Sequence, residues 1–291
     1  MIYRIANKDL TVEISSKGAE LQSIKEIDGT EYLWQGNPVY WSDRALNIFP
    51  YVARLTQGKY QLNGQEYQMN IHGFVCTAEL AVEEKTEDRI VFALHADEDT
   101  RVQYPYEFVY RICYALEGKK LSITFSVENK DDKTMYFGIG GHPGFNVPLE
   151  AGAKFEDYYL EFSRGCKPVR IGFSEDCFVT GQNTPYQLEA DRRLALHHGL
   201  FDDDAIVFQD MDKEITLKKA DGGKSVTVTY PDMKYLGIWH MPKTDAPYVC
   251  IEPWSSLPSR KNVVEDLAVQ PDLIHLEGHK TYENEWKISI L

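Results

Sequence analysis

The chain has 291 residues, enough to bury a sizeable core in one large β domain or two ordinary ones. Its 31 Lys and Arg are outnumbered by 45 Asp and Glu, giving a net charge of −14, and no segment gathers the positive charge into a stripe. That balance argues against nucleic acid and anionic membrane surfaces as expected partners.

The first residues, MIYRIANKDLTVEIS, set Leu10, Val12 and Ile14 against Thr11, Glu13 and Ser15. This is the period of a strand with one buried face, and it lacks the unbroken apolar stretch of a signal peptide. No later run approaches membrane-spanning length, so a soluble, cytoplasmic protein is expected. Asp28-Gly29 then marks a turn ahead of EYLW. The segment NIFPYVARLTQG carries Arg54 and leads into KYQL and QEYQM, joined by Asn63-Gly64, a pair that favours the left-handed turn of a tight hairpin. NIHGFV places His72 directly before Gly73. Alternation returns at Ile90 to Leu94 and Leu121 to Phe125, with Glu117-Gly118 between RICYAL and KKLSITF. Between Gly138 and Pro148 the chain reads GIGGHPGFNVP, expected to be a rigid loop that aims His142. FDDDAIVF supplies Asp202, Asp203 and Asp204 before an apolar run. ITLKKA and KSVTVTY flank Asp221-Gly222-Gly223, another hairpin, and Val226 to Val228 repeat the strand period. An alternating strand from Tyr248 ends in Glu252, Pro253 and Trp254, and only Glu265 to Val269 hints at a turn of helix.

There is no linker, composition break or clean repeat, and 18 Tyr, 13 Phe and 5 Trp suit the space between large sheets. One all-β domain over residues 1–291, a large antiparallel β-sandwich, is the expected architecture. The five cysteines, Cys76, Cys113, Cys166, Cys177 and Cys250, are scattered without a CxxC pair and are expected to be inert thiols.

Arg54 with Gly58 and the Asn63-Gly64 hairpin, His72-Gly73, the Gly141-His142-Pro143 segment with Phe145 and Asn146, Asp204, and Glu252-Pro253-Trp254 form an ordered set along the chain. In this set the chain resembles the aldose 1-epimerase (mutarotase) family, and within it the LacX-like bacterial members, over nearly its whole length. One departure is Gly144, where many members carry an aromatic, which predicts a more open wall beside His142. The resemblance implies a galactose mutarotase-like supersandwich that interconverts the α and β anomers of a hexose by acid and base ring opening. It implies His142 as general acid and Glu252 as general base, with Arg54, His72 and Asp204 on sugar hydroxyls. Asp202 or Asp203 are alternatives to Asp204, and Trp254 or Trp239 would lie under the ring.

The chemistry asks for such groups. Imidazole and carboxyl have reference pKa values of about 6.5 and 4.3, suited to exchanging protons near neutrality. No cofactor is expected. No metal is expected either, because His72 and His142 lack a close histidine companion. The expected partner is a small sugar, and the expected assembly a monomer or homodimer. Other readings are a hexose-6-phosphate epimerase, with Arg260 and Lys261 as added cations, a sugar-binding protein without turnover, and a glycoside hydrolase or lyase, which would want two flanking carboxylates.

Overall fold

The computed structural model describes residues 1–291. Two antiparallel sheets dominate. Nine strands lie side by side in the order Arg193–Ala195, Tyr158–Phe162, Glu214–Lys219, Val226–Thr229, Thr281–Ile290, Lys120–Asn129, Phe108–Glu117, Arg89–His95 and Ala81–Lys85. Seven more run Thr184–Pro185, Val169–Arg170, Ile206–Gln209, Tyr235–Trp239, Tyr248–Trp254, Gly140–Asn146 and Ala45–Ile48. The Asn-Gly and Glu-Gly hairpins form as expected, pairing Leu62 with Gln65 and Glu117 with Lys120. Asn63 and Gly64 both take positive φ there, the backbone that a two-residue hairpin turn requires.

Alternation along the seven-stranded sheet divides its side chains between two environments. Val249, Ile251, Leu236, Ile238, Ile206 and Phe208 enter a core cluster of 66 residues shared with the nine-stranded sheet. Their neighbours Tyr248, Cys250, Glu252 and Trp254, with Gly237, Trp239 and Val207, point to the opposite face. Two small apolar clusters form on that face, one around Trp254 and Val207 and one around Trp34, Tyr248 and Cys250. The strip between them holds His142 and Glu252.

Two local expectations are corrected. The glycine-rich segment around His142 is an inner strand, Gly140–Asn146, paired on both sides. Its glycines make room for distant tryptophans rather than for a turn. A methyl at Gly140 would lie 2.8 Å from Trp254 Cδ1, and one at Gly141 would lie 2.6 Å from Trp286 Cζ2. Secondly, the helical turn expected over Glu265 to Val269 begins one residue later, at Asp266, whose carbonyl oxygen accepts the Val269 and Gln270 N–H groups at 3.1 Å each. Glu265–Asp266 is a short strand parallel to Lys59–Leu62, held because the buried Glu265 carboxylate accepts a forked pair of bonds from Arg260 at 2.9 and 2.8 Å. The one α-helix, Glu98–Gln103, gave no signal in apolar period. It starts on a reciprocal cap in which Asp97 accepts from Thr100 N–H and Thr100 accepts from Asp97 N–H, both at 2.8 Å. No helix is long and apolar enough to cross a membrane.

Candidate active site

His142 and Glu252 meet because of register. Gly140 pairs with Trp254 and Gly144 with Cys250 on the adjacent strand, which sets His142 opposite Glu252 on the same face. The His142 Nε2 and Glu252 Oε2 atoms stand 3.2 Å apart, although Oε2 lacks the alignment of a hydrogen bond. Both residues are buried, at 8 % and 1 % exposure. On its other flank Glu252 faces Gly237, where a methyl would come within 3.3 Å of the Glu252 Cβ.

Burial opposes charge on both groups. It pushes the His142 imidazole well below its ordinary value, with His72 adding to the effect, and it lifts the Glu252 carboxyl well above its own, with the Asp204 charge adding.

A cavity of about 390 Å³ opens over the pair, within the roughly 300–1,000 Å³ usual for small-ligand sites. Arg54, His72, Asp203, Asp204, Trp239 and Trp254 line it together with His142 and Glu252. His72 sits in a left-handed turn at φ 63°, and its Nδ1 accepts the Ala53 N–H at 3.3 Å. Burial and the nearby Arg54 lower its pKa to about 4. At neutral pH the ring is uncharged, and its Nε2–H is the donor available to a ligand. Arg54 is exposed at the rim without an ion-pair partner. Asp204, also left-handed at φ 76°, accepts the Cys177 thiol on Oδ2 and its neighbour's N–H from Ala205 on Oδ1, each at 2.8 Å.

A buried imidazole–carboxyl pair, under a cavity that sets Arg54, His72, Asp203 and Asp204 among tryptophans and other apolar side chains, is a layout that suits a small polyhydroxy ligand. A family model described as aldose 1-epimerase matches residues 1–268. The chain belongs to the aldose 1-epimerase family. The plasmid-encoded and chromosomal LacX proteins of Lactococcus lactis subsp. lactis are each 33% identical over 303 residues, covering 100% of both chains. A galactose mutarotase related enzyme from Lactobacillus acidophilus superposes with a TM-score of 0.95 at 35% identity, over 100% of this chain and 97% of that one. A galactose mutarotase-like protein from Lactobacillus casei superposes at 0.94 with 28% identity, over 100% of each.

Among the alternatives left open by the sequence of this aldose 1-epimerase family member, Asp203 and Asp204 line the cavity and Asp202 does not. Arg260 and Lys261 lie elsewhere, paired with Glu265 and Asp176. Trp254 is 5 % exposed, while Trp239 is only partly buried and offers the freer ring. The wall beside Gly144 is not open, contrary to expectation. A methyl there would lie 3.2 Å from Trp41 Cζ3, and the Trp41 ring stands 4.9 Å from that of His142. Trp41 was missed because it comes from the aromatic run VYW, which carries no spacing signal. Cys177 was missed for the same reason, and it lines the cavity where Cys76 does not. Sequence spacing also hid a three-residue cluster: a His142 ring nitrogen, Cys250 Sγ and a Glu252 oxygen lie within 4.8 Å of one another.

Proposed function

We propose that the protein is an aldose 1-epimerase acting on a free hexose, with His142 and Glu252 passing protons to and from the ring. The observation that carries this is the 3.2 Å pair at the floor of the cavity. Ionised Glu252 takes the proton of the anomeric hydroxyl, electrons close the C1=O bond, the C1–O5 bond breaks, and O5 takes the proton of the His142 imidazolium. C1 turns about its bond to C2, and the same steps in reverse close the ring on the other face. Ring opening leaves both side chains uncharged, which is the state that burial favours. The close contact favours the charged pair that starts the cycle, so the two environments oppose each other and neither state is stranded.

Recognition of a free sugar rather than a phosphorylated one is supported by charge. Asp43, Asp203, Asp204 and Glu252 line the cavity against Arg54 as its one arginine or lysine. An adjoining cleft contains Arg170 and Lys243, but also Glu175, Asp202 and Asp203. A phosphate would meet repulsion in either place. Polarimetry of freshly dissolved α-D-glucose, α-D-galactose and glucose 6-phosphate is the test. Acceleration is expected with the free sugars, and acceleration confined to the phosphate ester would overturn the substrate class.

Cys177 and Asp204 both hold left-handed backbone that a non-glycine residue adopts at a cost, and their side chains meet at the cavity wall. Cys177 is therefore expected to position the Asp204 carboxylate. Cys177→Ala should raise KM by up to about tenfold, the scale of one ordinary hydrogen bond, with kcat kept. Cys177→Ser should restore most of the loss. An unchanged KM in the alanine variant would remove the role.

A further inference from the structure

We infer that the reactive pair doubles as an inhibitory site for a thiophilic divalent cation, with Cys250 as the third ligand. The inference concerns the same site as the proposed epimerase activity but rests on the donor set, not on that activity. Cys250 and Glu252 lie two residues apart on one strand and so share a face, and His142 stands on the neighbouring strand. All three are buried, and their ligand atoms lie within 4.8 Å of one another. Glu252 Oε2 is buried without a hydrogen-bond partner, so a polar acceptor is already aimed at the cluster. His142 Nδ1 is likewise buried and unpartnered, leaving neither ring nitrogen committed to a protein hydrogen bond. Gly144, opposite Cys250, places no side chain between them.

Thiolate, imidazole and carboxylate are the ligand types of zinc and cobalt, and three protein ligands with a fourth position open to a cavity suit four-coordination. Bonds of about 2.0–2.3 Å would draw the ligand atoms to about 3.5 Å apart. The His142–Glu252 edge is already 3.2 Å, so only the sulfur has to move closer, by side-chain rotation. Charge also balances. The thiol proton and the proton held by the His142–Glu252 pair leave to solvent, and the dication meets one thiolate and one carboxylate in a buried place where net charge is costly. The cation takes the lone pairs on His142 and Glu252 that proton transfer needs, so occupancy and turnover exclude each other.

The test is titration of the full-length, chelator-treated protein with Co²⁺ under anaerobic conditions. One ion per chain is expected, with a sulfur-to-cobalt charge-transfer band in the near ultraviolet that Zn²⁺ abolishes by competition. Cys250→Ala should lose the band and weaken cobalt binding by at least the roughly 10–100-fold that loss of a mere supporting contact costs a metal site. Cys177→Ala should keep both. In the activity arm, stoichiometric Zn²⁺ should suppress mutarotation of the wild type and EDTA should restore it. The Cys250→Ala variant, compared with its own metal-free rate, should resist. Absence of the band at stoichiometric cobalt, or its persistence in Cys250→Ala, overturns the inference. Should Cys250→Ala not fold, Glu252→Gln provides the second variant, expected to keep the band but lose affinity, and unchanged affinity there overturns the inference equally. A protein that gives the band but mutarotates no aldose would refute the proposed function and leave the cation site standing.

Discussion

Glu252→Gln is expected to lower turnover by about 10²–10⁴-fold, the contribution typical of one general acid or base. The amide keeps the volume and planarity of the carboxyl but cannot accept and return a proton, so sugar affinity should change far less than kcat. His142→Asn should lose a similar factor. The double variant should lose less than the product of the two, because both groups serve one proton-transfer event and stand 3.2 Å apart. Stability provides the control. Glu252 is 1 % exposed and burial holds its carboxyl well above its ordinary value, while burial also keeps His142 uncharged once its partner is gone, so an uncharged isostere removes a penalty and strands no charge. The urea midpoint of Glu252→Gln should equal or exceed that of the wild type. Near-normal turnover would remove Glu252 from the chemistry, whereas lost turnover with an early midpoint would show a folding defect instead.

Gly73→Ala is expected to be among the most damaging single-methyl changes in the chain. Gly73 has φ 77°, which disfavours any L side chain, and it bridges to Phe49 at the end of the Ala45–Ile48 strand. An added methyl would sit against the Phe49 carbonyl oxygen, well inside contact distance, and 2.7 Å from Pro50 N. Backbone atoms on that side cannot swing away as a flexible side chain would. Combining a left-handed alanine with overpacking gives a loss of about 2–5 kcal/mol. Because His72 is the preceding residue, the same change should also weaken sugar binding. Gly64→Ala is the matched control. It has φ 76° but nothing within 4 Å, so only the conformational cost of about 1 kcal/mol remains. Equal losses in the two variants, measured by urea unfolding, would show that the contact with Phe49 does not matter.

The parts of the fold that were legible in the sequence are those fixed by neighbours in the chain. Asn63-Gly64 specifies its own turn, and Leu10 to Ser15 alternates because one face of that strand is buried. His142 and Glu252 could be singled out as residues, but not as a contact, since their meeting depends on the register of two strands 110 positions apart in the chain. The strand around His142 was obscured because glycine and proline are ordinarily signs of a loop. Here Gly140 and Gly141 answer to Trp254 and Trp286, far away in sequence. The turn read at Glu265 to Val269 is present from Asp266 onward, and only its first residue was misplaced, since Glu265 pairs with Arg260 and lies beside Lys59–Leu62. Trp41 and Cys177 reach the cavity by tertiary packing alone, so no local pattern announced them.

The reactive pair stands on two hydrogen-bonded inner strands, whereas Arg54, His72, Cys177 and Asp204 all come from connecting segments. Under the proposed function, sheet spacing sets the proton-transfer distance, and loops choose what is held over it. Replacing the segment from Phe173 to Val179, or the aspartates before Ala205, with loops of other lengths and side chains would redirect which sugar is admitted while the exchange machinery stays in place. Under the proposed function, the division predicts a scaffold for graded substrate retargeting, in which loop variants shift selectivity before they cost turnover.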